Sequence, residues 1–152
     1  MQIRHARVQD AKAINALIGY YAEQDRMLFR SVADIYENLQ TFLVAQDSGE
    51  VVGCCALEVV WADLAEVKSV AVDAARQSKG IGRALVTAAL DKARGLGVSR
   101  VFALTLEPAF FSKLGFVEVP RESLPMKVWS DCARCPKQQD CDEVAMVREI
   151  RP

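Results

Sequence analysis

The segment that most constrains this chain runs from Glu66 to Arg94. It begins as a strand pattern, Glu66-Val67-Lys68-Ser69-Val70-Ala71-Val72, and passes through Arg76-Gln77-Ser78-Lys79-Gly80-Ile81-Gly82-Arg83. It ends as a helix, with Ile81, Leu85, Ala88 and Ala89 on one face and Arg83, Asp91 and Arg94 off it. Two glycines beside an amide and two cations at the mouth of a helix describe an anion site. Glycine lets backbone N–H groups close on phosphate oxygens, the helix N-terminus adds partial positive charge, and Lys79 and Arg83 add full charges. The same pattern also suits a helix start that binds nothing. It is not a dinucleotide fingerprint, because Leu85 stands where a third small residue belongs and Asp73 to Gln77 separate the strand from the glycines. It is not a Walker loop either, which would close on Gly-Lys-Ser/Thr.

Around this segment the chain reads as one domain covering 1–152. Gln2 to Arg7 suits a strand. Ile14, Leu17, Ile18 and Tyr21 recur at helical spacing, with Asp10 placed to cap that helix. Ser31-Val32-Ala33-Asp34 opens a second short helix carrying Ile35 and Leu39. Thr41–Gln46 and Val51–Val60 form a hairpin about Asp47-Ser48-Gly49. After the long helix, which stops at Gly95-Leu96-Gly97, Val101–Leu106 is a strand, Pro108–Leu114 a short helix and Phe116–Val119 a strand. The order predicts a mixed α+β domain built on one sheet. With a net charge of −1, the chain has no cationic excess to neutralise a nucleic-acid backbone. The N-terminus carries no apolar signal core and no apolar run reaches membrane-spanning length, so a cytoplasmic protein is expected, with neither nucleic acid nor membrane as partner.

Gln77-x-x-Gly80-x-Gly82 behind Ser69-Val70-Ala71-Val72, with Phe110-Phe111-Ser112-Lys113-Leu114-Gly115-Phe116 further on, resembles the GNAT family of acetyl-CoA-dependent N-acetyltransferases. The resemblance covers nearly the whole chain. It implies a three-layer fold, a mixed and mostly antiparallel sheet with helices on both faces, and acetyl-CoA as co-substrate. The backbone of Ser78, Lys79, Gly80, Ile81, Gly82 and Arg83, with the Gln77 side chain, would hold the diphosphate. The edge of the Glu66–Val72 strand, through Val70, Ala71 and Val72, would pair with the pantetheine arm, an N–H near Val70 would polarise the thioester carbonyl, and Phe111 and its neighbours would flank the rest of the coenzyme. The resemblance also implies a homodimer. Many members have a tyrosine as general acid where this chain has Phe111, which has no proton to give. The thiolate then takes its proton from water, from the substrate ammonium or from another side chain.

Glu66 is the candidate base, and regular alternation would set Glu66 and Lys68 on the same face as Val70 and Val72, neighbours being about 7 Å apart. A solvated Glu/Lys pair on an open strand face fits the same residues. Phe29-Arg30-Ser31, Glu66-Val67-Lys68 and Leu124-Pro125 with Lys127-Val128-Trp129 resemble the acetyltransferase domain of N-acetylglutamate synthases. That resemblance implies L-glutamate as acceptor, and its two carboxylates call for two fixed cations, for which Arg30, Lys68 and Lys127 are the candidates. The reaction implied is the first step of arginine biosynthesis. Two alternatives remain: another small amine or a protein amino group as acceptor, and a non-catalytic acyl-CoA-sensing module.

Cys132-x-x-Cys135-x5-Cys141, in the loop 130–142, offers three thiols. A tetrahedral metal site would need Asp131, Asp140 or Asp142 to complete it. Reduced thiols or a redox disulfide suit the same spacing. No metal is expected in the chemistry. Cys54 and Cys55 read as small buried residues.

Overall fold

The computed structural model describes residues 1–125 and 143–150. Among these, seven strands form one sheet in the order β1-β2-β3-β4-β5-β7-β6. They are β1 (Gln2–His5), β2 (Phe42–Asp47), β3 (Glu50–Trp61), β4 (Leu64–Val72), β5 (Arg100–Thr105), β6 (Val117–Val119) and β7 (Val144–Glu149). Every neighbouring pair is antiparallel except β4 with β5. The described residues also form four α-helices, α1 (Ala11–Ala22), α2 (Val32–Glu37), α3 (Ile81–Gly95) and α4 (Pro108–Ser112).

Alternation along β2 decides the layering. Leu43 and Ala45 pack with Leu85, Ala89 and Leu90 of α3 and with Phe111 of α4. Phe42 and Val44 pack instead with Ile14 and Ile18 of α1 and Ile35 of α2. The mixed three-layer α+β architecture is therefore the one expected. Ile81, Leu85, Val86, Ala89, Leu90 and Ala93 give α3 its buried stripe, and full burial of one such leucine stabilises the fold by about 2 kcal/mol. The helix closes where Val98 N donates to Ala93 O at 3.1 Å, around Gly97 at φ +86°.

Two local expectations differ in outcome. Ser31 caps α2, its Oγ accepting from Asp34 N at 3.1 Å. Asp10 makes no side-chain cap on α1. Its carboxylate accepts from Arg4 Nη1 at 2.8 Å and from Arg7 N at 2.7 Å, and the Arg4 guanidinium holds the carboxyl below its ordinary range. A cation brought close by β1 outcompetes the helix end.

Two irregularities of β4 shape everything that follows. The first is a bulge against β3. Ala56 pairs with Lys68 and Cys54 with Ala71, so two steps on β3 span three on β4, and Ser69 takes up the difference at φ +56°. The second is a splay from β5. The two strands pair only at Leu64–Arg100, Ala65–Val101 and Glu66–Phe102, leaving β4 without a strand partner on that side from Val67 to Val72.

Candidate functional site

The bulge at Ser69 reverses the facing of β4. Before it, Val67 packs into the α3 layer; after it, Val70 and Val72 do so too, while Ala71 packs into the α1 layer. An unbroken strand would have put Val67 and Val70 on opposite faces. Glu66 and Lys68 therefore point to the α1–α2 side and do not share a face with Val70 and Val72, contrary to simple alternation. The physical cause is the one extra residue, since a single-residue slip exchanges the two faces of a strand.

On the α1–α2 side a charged cluster forms from four chain segments. Arg30, in the loop between α1 and α2, is 7% exposed and its guanidinium lies over the Phe42 ring at 4.9 Å. Its Nε donates to Asp34 Oδ2 at 2.7 Å, and its Nη1 lies 3.5 Å from both Ser69 Oγ and Glu58 Oε2. Asn15 of α1 fixes the loop by donating to the Arg30 carbonyl at 2.8 Å. Lys68 Nζ lies 3.2 Å from Glu58 Oε1. Glu66, 8% exposed, stands directly across the ladder from Glu58. The structure thus brings Arg30, Lys68 and Glu66 together, and adds Glu58, Asp34 and Ser69, which sequence reasoning missed. Lys127 and the thiols Cys132, Cys135 and Cys141 lie outside the described residues. Among the described residues no group of His, Cys, Asp or Glu could hold a metal ion. Cys54 and Cys55 are buried and burial pushes both thiols up, Cys55 to about 12, so neither supplies a thiolate near neutrality.

The glycine loop lies at the end of β4. Ser78 at φ +66° and Gly80 at φ +79° turn the chain into α3, whose first internal bond runs from Ala84 N to Gly80 O at 3.0 Å. The N–H groups of Ile81, Gly82 and Arg83 precede that bond and are available to an anion. A Cβ on Gly82 would meet the Phe110 ring at 3.4 Å, so the helix start is closely covered on one side. Lys79 and Arg83 are exposed beside it. Arg76 is committed elsewhere, with Asp47 at 3.1 Å and Glu50 at 3.6 Å.

Three coenzyme-side residues make contacts within the protein. Gln77 Nε2 donates to Tyr21 Oη and to Val72 O, so its amide nitrogen anchors the loop to α1 and β4 instead of reaching over the glycines. The Val72 carbonyl also accepts from Tyr21 Oη and is occupied within the protein. Burial holds the Tyr21 phenol above its ordinary range, which suits a hydroxyl kept neutral as donor and acceptor. Phe111 is a core residue, edge-on to Phe110 and Phe116 at 5.0 and 5.1 Å, and it is Phe110 that borders the helix start. Helical phase separates the two rings: in α4 Phe110, one of the neighbours of Phe111, faces the loop. The backbone of Val70 and Ala71, by contrast, lies in the splayed part of β4, where an extended ligand could add to the sheet.

This geometry sets an open helix start, an unpaired strand edge and a half-buried charged cluster along one strand. Residues 8–116 match the acetyltransferase (GNAT) family. An uncharacterized N-acetyltransferase of Chlorobaculum tepidum is 44% identical over 97% of this chain and 96% of its own length. An amino-acid acetyltransferase of Mycobacterium tuberculosis is 41% identical over 87% of this chain and 77% of its own length. The N-acetylglutamate synthase of Neisseria gonorrhoeae, solved with coenzyme A and N-acetyl-glutamate, superposes with a TM-score of 0.91 at 31% identity, over 99% of this chain and 35% of that one.

Proposed function

The chain belongs to the GNAT family of acetyltransferases, and on that premise we propose that it moves the acetyl group of acetyl-CoA to the α-amino group of L-glutamate. The transferase activity and the use of acetyl-CoA follow from the family and its relatives; the acceptor, its product's entry into arginine biosynthesis and the roles of residues are the proposal. The observation that carries it is one cluster beside the splayed strand, in which Glu58 engages two buried or half-buried cations, Arg30 and Lys68, and stands across the ladder from the buried Glu66.

Acetyl-CoA supplies a thioester carbon and a thiolate leaving group. The Ile81, Gly82 and Arg83 amides, with Lys79 and Arg83, would hold its diphosphate, a fit supported by the open helix start. The unpaired edge of β4 near Val70 and Ala71 would align the pantetheine arm and turn an N–H toward the carbonyl oxygen as negative charge develops there. Arg30 and Lys68 would take the two carboxylates of the acceptor, since a planar guanidinium and a compact ammonium give two fixed positive points. Glu66 would receive the ammonium proton, so that a neutral amine attacks. Phe111 carries no acidic proton and is buried, which leaves solvent, the ammonium formed as the amine attacks, or another side chain as the proton source for the thiolate.

A thiol-release assay with L-glutamate, L-aspartate, L-glutamine and L-arginine tests the acceptor. The expected result is the highest kcat/KM with L-glutamate. Faster turnover of a neutral or cationic acceptor would exclude the two-cation clamp.

A further inference from the structure

The cluster around Arg30 holds one carboxylate that the proposed reaction leaves unused. Glu58 sits on β3 opposite Glu66 and engages both cations at once, Oε1 at 3.2 Å from Lys68 Nζ and Oε2 at 3.5 Å from Arg30 Nη1. The side chains of Arg30 and Lys68 are only 8% and 21% exposed. Charges at that depth need compensation, and Glu58 shares the compensation of Arg30 with Asp34 at 2.7 Å. One internal carboxylate thus already holds the two positive points that the acceptor's carboxylates would take.

We infer that Glu58 is a built-in counter-ion of the acceptor pocket, filling the cation clamp until an acceptor carboxylate displaces it. It thereby sets how strongly the pocket distinguishes an anionic acceptor from its neutral isostere. The inference rests on the clamp reading above. Its physical basis is charge compensation: among the described residues Asp34 and Glu58 already engage Arg30, and Glu58 engages Lys68, so an acceptor carboxylate must compete with an internal one for the same cation. The free energy spent in displacing Glu58 is subtracted from acceptor binding and appears as a raised KM. An acceptor with an amide in place of the side-chain carboxylate competes less and loses less.

Glu58→Gln keeps the shape and removes the charge. For this variant the KM for L-glutamate should fall about tenfold, the worth of one charge-assisted contact, and the KM for L-glutamine should fall less. Without ligand the variant should melt below the unaltered protein, and L-glutamate should raise its Tm by more. A residue that only props up the fold would not lower a KM. If Arg30→Ala and Lys68→Ala raise the L-glutamate KM while Glu58→Gln leaves it unchanged or raises it, the clamp stands and the counter-ion role is overturned. If Arg30→Ala and Lys68→Ala leave that KM unchanged, the clamp and the counter-ion fall together. Should Glu58→Gln not fold, Glu58→Asp, whose shorter arm reaches the cations less well, is expected to lower the KM by a smaller factor. A raised KM in Glu58→Asp overturns the inference.

Discussion

The glycine loop and the charged cluster lie along the same strand but are made of different material. The loop works through backbone: its N–H groups, one left-handed glycine and a helix end, all within Gln77–Arg83. The cluster works through side chains from the α1–α2 loop, α2, β3 and β4. A backbone site tolerates almost any side chain that points away from it and fails when one points into it. A side-chain site degrades by steps, one group at a time. The comparison therefore predicts all-or-none effects at one end of the strand and graded effects at the other.

The largest effect is expected from Gly82→Glu. The Phe110 ring already lies 3.4 Å from where its Cβ would be and Val72 Cγ2 3.8 Å, so the new carboxylate is driven toward the open helix start. An acid in the first turn favours the helix itself, so the fold survives while acetyl-CoA binding is lost. Titration calorimetry with acetyl-CoA checks this, with circular dichroism as the control. Retained affinity would remove the diphosphate from this loop.

Next in size is Glu66→Gln. Loss of a general base lowers kcat by roughly 10²- to 10⁴-fold, whereas acetyl-CoA affinity should hold because the loop is untouched. Single-turnover measurement at saturating acceptor separates the two. An unaltered kcat would leave Glu66 as a structural carboxylate facing Glu58.

How much of this could be read from the chain follows the same division. Gly80 and Gly82 were legible because their meaning is local: a helix start needs no partner to be recognised. Ser31 was legible for the same reason. Asp10 was misread because a cap and an ion pair use the same carboxylate, and only the β1–α1 arrangement brings Arg4 to it. Gln77 was assigned to the ligand because nothing in its own segment shows Tyr21 Oη waiting 56 residues away. Glu58 was invisible for a subtler reason. A regular ladder closed by the Ala62-Asp63 turn, pairing Trp61 with Leu64, would set Glu58 against Val67, on the α3 face. The irregularity between Val59 and Trp61 moves it against Glu66. Bulges carry no composition of their own, and a serine in a strand announces nothing. Counting register from the turn would nevertheless have placed Glu58 within one residue of the candidate base.

Ser69 tests that dependence on the bulge. Its φ of +56° is left-handed backbone that a β-branched residue adopts at a cost. Ser69→Val should lower stability by about 1–3 kcal/mol in denaturant unfolding. It should also weaken acceptor binding, since Arg30 Nη1 loses its 3.5 Å neighbour and the facing of Lys68 depends on the same turn. Ser69→Gly relieves the backbone while removing the hydroxyl, so its Tm should hold or rise with only a modest increase in acceptor KM. Equal losses of stability in both variants would show that the hydroxyl, not the backbone, maintains the bulge.

The smallest effect, and the one that joins the two regions, is expected from Tyr21→Phe. Tyr21 Oη donates to Val72 O and accepts from Gln77 Nε2, so one hydroxyl ties α1, the end of β4 and the loop together. Its ring stays buried in the α1 layer after the substitution, and the carbonyl keeps Gln77 Nε2 at 3.3 Å. The loss should therefore be about 1 kcal/mol, the net worth of one buried hydrogen bond. Because the lost contact is at the root of the loop and not within the charged cluster, acetyl-CoA affinity should drop a few-fold while the acceptor KM stays constant. A change confined to the acceptor KM would mean that Tyr21 supports the pocket and not the loop. The backbone site would then be self-sufficient, and the division between the two ends of the strand sharper than drawn.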